Sequence, residues 1–424
     1  MLIIKKSLKL SLAAMLMLLP ATSCVSNDAN YQSEAITAPS VQPDKAEQRA
    51  AWAQSLFSGV EQYDSFHRVS EMFPTSIMSA ASDPYDFKEN LRLKLPETVV
   101  SPVGQVDTAQ LLAETDTAAL IVLHNGELVY ENYWLTGARQ TRWISMSMAK
   151  SVTSIGVGIA VDEGLIDIQR PVEDYVPELK GSGYEGASVK DVLQASSGIA
   201  WNENYSDPES SVIRMRAIIA GGGSMGELAA SMQREFEPGT KFRYSSMETF
   251  VLGMVLSRAT GESVSSYLER KLWHPLGMET DAYWLLDSDG AEMTQFGLNA
   301  TARDYAKIGE LYRQNGMWEG KQVVSAEWVK ASTTADAPIR EPKPTAPGYG
   351  YQWWLPYSAD GDFVALGVYL QAIYVNPAKR LVIVKLSAYS DYATDKAPPG
   401  GYAIETFSLF NAIGQQLEAK ASGD

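Results

Sequence analysis

Ser147 stands three residues before Lys150, the one such spacing in the chain, and the pair opens a small and apolar run that reaches Glu163 and stops at Gly164. A run apolar on every side predicts a helix buried in the core, with the glycine as its C-cap and Ser147 at its start. On a helix, residues three apart share a face and touch. A lysine held there loses solvation, its pKa falls, and its neutral amine becomes accessible. That amine can take the proton of a neighbouring serine hydroxyl and turn it into a nucleophile. The competing reading is a capping serine beside a surface lysine, the commoner origin of an isolated S-x-x-K.

At 424 residues, 45% hydrophobic and 20% charged, the chain has the composition of a soluble globular enzyme with a substantial core. The N-terminus departs from it. Lys5, Lys6 and Lys9 precede the apolar run Leu10–Leu19 and then Pro20-Ala21-Thr22-Ser23-Cys24, the basic, apolar, small order of an export signal. Residues 1–23 are therefore expected to be a signal peptide of an exported protein. Cys24, the single cysteine, rules out an internal disulfide. Its position resembles the lipid-attachment site of bacterial lipoproteins, although Ala21 stands where leucine is usual; cleavage that leaves a free Cys24 is the alternative. The expected location is periplasmic or outer-membrane-anchored, with the lipid as the only membrane tie. Loss of the leader's three lysines takes the net charge from −16 to −19. A body this acidic repels nucleic acid and anionic membrane surfaces, which points to a small-molecule substrate. Oligomeric state is not legible.

Residues 24–50 are polar and aperiodic and read as a flexible spacer. Residues 51–96, with irregularly spaced aromatic and apolar side chains, read as an extension packed on a main domain over 97–424. Ala118–Trp134 is a hairpin turning at Asn125-Gly126, where both residues tolerate positive φ. A largely helical stretch spans about 165–320. Strand-like segments follow at Tyr349–Leu355, Phe363–Val375 and Leu381–Leu386, and Ala403–Leu417 closes the chain as a helix. Strands at both ends with helices between them predict an α+β fold, one antiparallel sheet assembled from both chain ends around a helical insertion.

Tyr244-Ser245-Ser246 follows a Pro-Gly turn and precedes an apolar helical run. A tyrosine there could share the serine proton and pass it to a leaving group if a nearby lysine lowers its pKa; a plain interfacial tyrosine is the alternative. Ser147-x-x-Lys150 and Tyr244-x-Ser246, with the hairpin, Ile155–Ile168, Val172–Lys180, Val192–Gly198 and Leu272–Gly277, together resemble the β-lactamase-related serine hydrolases. These comprise class C β-lactamases, DD-peptidases, carboxylesterases and 6-aminohexanoate-dimer hydrolase. Residues 181–210, with Trp201-Asn202-Glu203-Asn204-Tyr205, resemble the aminohexanoate-dimer hydrolase branch most. The resemblance implies a β-lactamase/DD-peptidase-like fold, Ser147 as acyl-accepting nucleophile, Lys150 as its base and Tyr244 as general acid/base. Ser246 would be an auxiliary polar contact where many relatives have Asn. Tyr205, in the polar loop Asn202–Pro208 between apolar segments, reads either as a lid residue or as an ordinary exposed loop tyrosine. One oxyanion N–H would come from Ser147 and another from the strand Phe363–Val375, which includes Gly367. That strand carries Leu366-Gly367-Val368-Tyr369-Leu370 where lactamases have Lys-Thr-Gly and others His-x-Gly. Without a cation to hold a β-lactam carboxylate, the expected substrate is a small ester or amide. A dedicated β-lactamase or DD-peptidase is the alternative. Tyr369 and Leu370 either narrow the cleft or simply pack.

Gly222-Gly223-Ser224-Met225-Gly226 also fits a nucleophile elbow, but Val212–Ala220 before it reads as a helix, and a loop between helices explains it better. With His67, His124 and His274 as the only histidines and no clustered ligands, neither metal nor cofactor is implied. A non-catalytic envelope binding protein of the same fold is the remaining alternative. The intact Ser147, Lys150 and Tyr244 argue against it.

Overall fold

The computed structural model describes residues 45–338, 347–356, 360–398 and 400–421. The expected signal peptide, Cys24 and most of the spacer lie outside them. Six helices matter here: α1 (Ala46–Ser55), α2 (Met148–Asp162), α3 (Ser211–Gly221), α4 (Ser246–Thr260), α5 (Ala302–Arg313) and α6 (Ala403–Ala421). The principal sheet comprises β1 (Thr117–His124), β2 (Glu127–Tyr133), β3 (Gly348–Tyr349), β4 (Trp354–Leu355), β5 (Phe363–Gly367), β6 (Gln371–Asn376) and β7 (Leu381–Ser387). Every pairing is antiparallel, in the order β3-β4-β5-β6-β7-β1-β2, so the β1–β2 hairpin joins strands from the end of the chain, as expected.

The sheet is buried on both faces because its strands are apolar at successive positions. Ala119, Ile121 and Leu123 of β1 face the core that holds α2, whereas Leu120 and Val122 pack with Leu409, Phe410 and Ile413 of α6. The β1–β2 turn has Asn125 at φ 56° and Gly126 at φ 77°, the left-handed pair that the Asn-Gly dipeptide supplies. Helix α2 is buried from Met148 to Ala160, and Gly164 (φ 73°) follows its end. A Cβ on Gly158 would stand 2.4 Å from the Trp328 indole, so this position admits no larger residue without repacking.

The structure corrects three details. Helix α1 begins at Ala46, inside the expected spacer, because Arg49 is buried and donates to the Met72 carbonyl while Trp52 and Ala53 pack inward. Phe363–Val375 is two strands, not one: the chain turns at Val368–Leu370, where Tyr369 (φ 67°) and Leu370 (φ 62°) are left-handed. Ser387 Oγ secures that turn on the Tyr369 and Leu370 carbonyls at 2.7 and 2.9 Å. Tyr349–Leu355 is likewise split into β3 and β4 by a turn with Gln352 at φ 64°. The insertion also carries strands: Ala282–Leu285 and Leu298–Ala300 join Thr75–Met78 and Trp143–Ile144 in a second antiparallel sheet. This sheet ties the 51–96 extension to the insertion. Among the described residues no helix is long and apolar enough to cross a membrane.

Candidate active site

Ser147 precedes α2 with helical φ and ψ, yet its side chain makes no cap hydrogen bond. Its Oγ accepts instead from Lys150 Nζ at 3.0 Å. The capping-serine reading therefore fails, and the surface-lysine reading with it, since Lys150 is 2% exposed. Lys150 Nζ also donates to Ser246 Oγ (3.1 Å) and to the Gln295 carbonyl (2.7 Å). Three acceptors suit an ammonium; loss of one proton leaves a lone pair that can receive the Ser147 proton. Burial pushes the Lys150 pKa down to about 8, against an upward pull from Glu203.

Tyr244 lies beside this pair, with Lys150 Nζ 5.5 Å from its ring centroid. The expectation that the lysine lowers the phenol's pKa is not met. Burial, then the Glu203 charge, push it well above its ordinary 10, and a hydrogen-bond interaction with Ser147 offsets this only in part. A phenol held neutral can donate a proton or relay one; it is not a resting tyrosinate.

Glu203 is the member of the site that sequence reasoning missed. Its carboxylate accepts from Ser246 Oγ (2.6 Å), Tyr205 Oη (2.7 Å), the Ser246 backbone N–H (3.0 Å) and the Trp201 indole N–H. The backbone contact sets a carboxylate at the N-terminus of α4, where the helix dipole favours negative charge. A signal was available: Trp201 and Tyr205 flank Glu203 two residues away on either side, each with one donor to offer. Ser246 thus joins Lys150 to Glu203, a more specific place than an auxiliary polar contact.

Two clefts meet at Ser147, and Tyr205 and Val368 line both. One is walled by Trp52, Leu56 and Phe57 of the N-terminal segment and by Val212, Met215, Arg216 and Ile219 of α3, with an empty volume of about 580 Å³, mouth included. The other, about 960 Å³, runs past Glu203, Tyr244, Trp354 and Gly367 toward Phe407 and Phe410 of α6. Gly367 lets β5 close on the turn before Ser147: a Cβ there would lie 2.7 Å from the Ser145 carbonyl and 3.2 Å from Met146 Cβ. Among the described residues no acceptor takes the Ser147 N–H.

Tyr369 lines neither cleft. It is 1% exposed, stacks on Phe57 at 5.2 Å between ring centroids, and accepts the Phe57 N–H at its hydroxyl (3.1 Å). The left-handed turn carries its side chain away from the cleft and into the N-terminal segment. Leu370 does reach the larger cleft. Phe57 also packs on Tyr205 at 4.5 Å, so Tyr205 is held between the extension and Glu203. Ser224 caps the short helix Met225–Ala230, accepting the Glu227 N–H (3.0 Å) and donating to Asp289, and helix α3 precedes it; this is the loop reading and not an elbow.

Residues 108–403 match the Beta-lactamase family. The chain belongs to the β-lactamase family. It is 33% identical over 339 residues to 6-aminohexanoate-dimer hydrolase of Paenarthrobacter ureafaciens, a match over 77% of this chain and 85% of that protein. A solved structure of a candidate 6-aminohexanoate-dimer hydrolase from Bacillus anthracis superposes with a TM-score of 0.75 at 24% identity, covering 84% of this chain and 94% of the other. A family VIII carboxylesterase superposes at 0.54 with 17% identity, covering 76% and 100%. The β-lactamase/DD-peptidase-like α+β fold expected from the sequence is the fold of these structures, and its family is one of hydrolases.

Proposed function

We propose that this β-lactamase family member is an exported serine hydrolase that cleaves a small ester or amide through an acyl-enzyme on Ser147. The observation that carries the reading is the Ser147 hydroxyl, which caps no helix and is held 3.0 Å from a lysine whose pKa burial pushes down to about 8. Neutral Lys150 takes the Ser147 proton as Oγ attacks the carbonyl carbon. The tetrahedral oxyanion is received by the Ser147 N–H and a backbone N–H at the end of β5. Tyr244, kept neutral, passes a proton to the departing alcohol or amine. Water then attacks the acyl-enzyme, its proton returns through the same groups, and the acid leaves.

An ester or linear amide fits better than a β-lactam, because β5 ends in Leu366-Gly367, Val368 follows in the turn, and neither offers a cation to a fused-ring carboxylate. The curated relative named above favours an amide, the carboxylesterase an ester. Hydrolysis of p-nitrophenyl acetate and butyrate, a chromogenic cephalosporin and the linear aminohexanoate dimer by wild type and Ser147→Ala tests the reading. Ester or amide turnover lost in Ser147→Ala supports it; activity surviving that substitution overturns it. For export, the leader and Cys24 support a lipid-anchored protein of the bacterial periplasm or outer membrane. Fatty-acid labelling of the full chain, lost in Cys24→Ser, is the expected result; secretion without label would favour plain cleavage.

A further inference from the structure

Among the described residues, Arg216 is the one cation lining the smaller cleft beside Ser147. Its neighbours on α3, Val212, Met215 and Ile219, are buried and apolar, so an arginine interrupts the helix's inward stripe. Trp52, Leu56, Phe57, Phe296 and Val368 complete an apolar wall around it. Among the described residues no carboxylate lies within ion-pairing distance of its guanidinium. Among the described residues its single hydrogen bond is from Nη1 to the Leu56 carbonyl, at 2.9 Å. A guanidinium presents five donors, so most of its fork is uncommitted. Burial lowers its pKa, partly offset by Tyr369, and no carboxylate pulls in the other direction. A half-buried cation without a counter-charge is unfavourable unless a ligand supplies one.

The two sides of Ser147 differ in charge and in proton chemistry. Tyr244 and Glu203 both line the larger cleft and neither lines the smaller one. If Tyr244 protonates the leaving group, as the reading above holds, the leaving group occupies the larger cleft and the acyl group the smaller. We propose that the cleft beneath α1 is an acyl subsite for an apolar chain ending in an anion, with Arg216 pairing to that terminal carboxylate. The N-terminal segment supplies part of its wall through Trp52, Ala53, Leu56 and Phe57, and Arg216 holds that segment by the Leu56 carbonyl. An acyl chain ending in an ammonium, such as the aminohexanoyl group, meets a like charge here and is disfavoured.

The assignment of this cleft to the acyl side rests on the proposed roles of Ser147 and Tyr244; the affinity of Arg216 for an anion does not. Calorimetry therefore comes first, on the wild-type protein with the product-like acids succinate, adipate and suberate, each against butyrate, hexanoate and octanoate, and with 6-aminohexanoate. At least one dicarboxylate is expected to bind about tenfold tighter than its matched monocarboxylate, with 6-aminohexanoate weakest. The net charge of −16 works against any dianion bound without a specific cation. Arg216→Gln should abolish the preference and Arg216→Lys should keep part of it. Equal binding of both acid classes by wild type, or a preference that survives Arg216→Gln, overturns the proposal.

Kinetics with mono-p-nitrophenyl adipate and p-nitrophenyl hexanoate then place the subsite. A kcat/KM ratio favouring the adipate ester, lost in Arg216→Gln, supports the acyl side; a ratio of one with intact turnover overturns that placement. Failure to hydrolyse either ester would count against the nucleophile reading and leave the calorimetric result to judge Arg216.

Discussion

Lys150 and Glu203 are joined through one hydroxyl: Ser246 Oγ accepts from the lysine at 3.1 Å and donates to the carboxylate at 2.6 Å. The site is thus a chain of groups, Ser147–Lys150–Ser246–Glu203, with Tyr244 beside its first link. The carboxylate pulls the lysine pKa up and burial pulls it down, with burial the larger effect. Burial thus sets the direction of the Lys150 shift, and Glu203, which touches the lysine only through Ser246, moderates it.

The pH dependence follows directly. With Lys150 at about 8, the fraction of neutral amine grows as pH rises through 8, so kcat/KM for an ester should climb with pH and level off above it. Lys150→Ala should lower kcat/KM by about 10²–10⁴-fold and remove the limb. Lys150→Arg should do no better, because a guanidinium stays charged across the range. A wild-type profile flat between pH 6 and 9 would contradict the assignment.

Replacing Glu203 by Gln removes the charge that raises the Lys150 pKa. The limb should then move to lower pH, while kcat falls because Ser246 and Tyr205 lose a carboxylate acceptor. Ser246→Ala should break the link without removing the charge, and so lower kcat with a smaller displacement of the limb. A pH–rate series on both variants separates the two effects; identical profiles for Glu203→Gln and wild type would refute the coupling.

Glu248 gives a stability prediction away from the reacting atoms. Burial raises its pKa from 4.5 to about 8, against hydrogen bonds from Ser197. The folded protein therefore holds a proton here between pH 4.5 and 8 that the unfolded chain has released. By linkage, the stabilising contribution is complete below pH 4.5 and is lost as pH rises through 8. Tm measured from pH 5 to 9 should fall more steeply for wild type than for Glu248→Gln, which mimics the protonated acid. Parallel slopes would argue that Glu248 is not buried as described.

Gly367→Ala tests the closeness of β5 to the turn before Ser147 and its proposed role in the oxyanion site. The new Cβ would stand 2.7 Å from the Ser145 carbonyl, so strand and turn must separate. Displacing an oxyanion donor typically costs about 10²–10³ in kcat. Esterase assays should show that loss with KM affected less, while thermal unfolding shows a drop of about 1–3 kcal/mol from overpacking. An active variant would place the oxyanion donors elsewhere.

Much of this was legible before any coordinates. The apolar run after Lys150, its glycine stop, the Asn-Gly turn and the Ser147–Lys150 spacing are properties of contiguous residues, and they set α2, the β1–β2 hairpin and the candidate base. Strands at both chain ends implied the shared sheet. The split of Phe363–Val375 was not legible, because apolar residues dominate on both sides of the turn, and the left-handed Tyr369 and Leu370 carry no glycine to announce it. The Tyr244 shift was not legible for a related reason: its direction depends on burial and on Glu203, neither of which sequence spacing reveals.

The sequence by itself determined which residues could do chemistry and which local elements present them, since helical spacing and turn preferences act over a few bonds. Tertiary structure alone decided what surrounds them. Trp201, Glu203 and Tyr205 become a carboxylate hub only when α4 brings Ser246 to them. Arg216 comes to line a largely apolar cleft wall only when the N-terminal segment, about 160 residues earlier, folds over α3. The strengths of the Lys150 base and the Tyr244 acid depend on desolvation and on charges a few ångströms away, and those distances exist only in the folded chain.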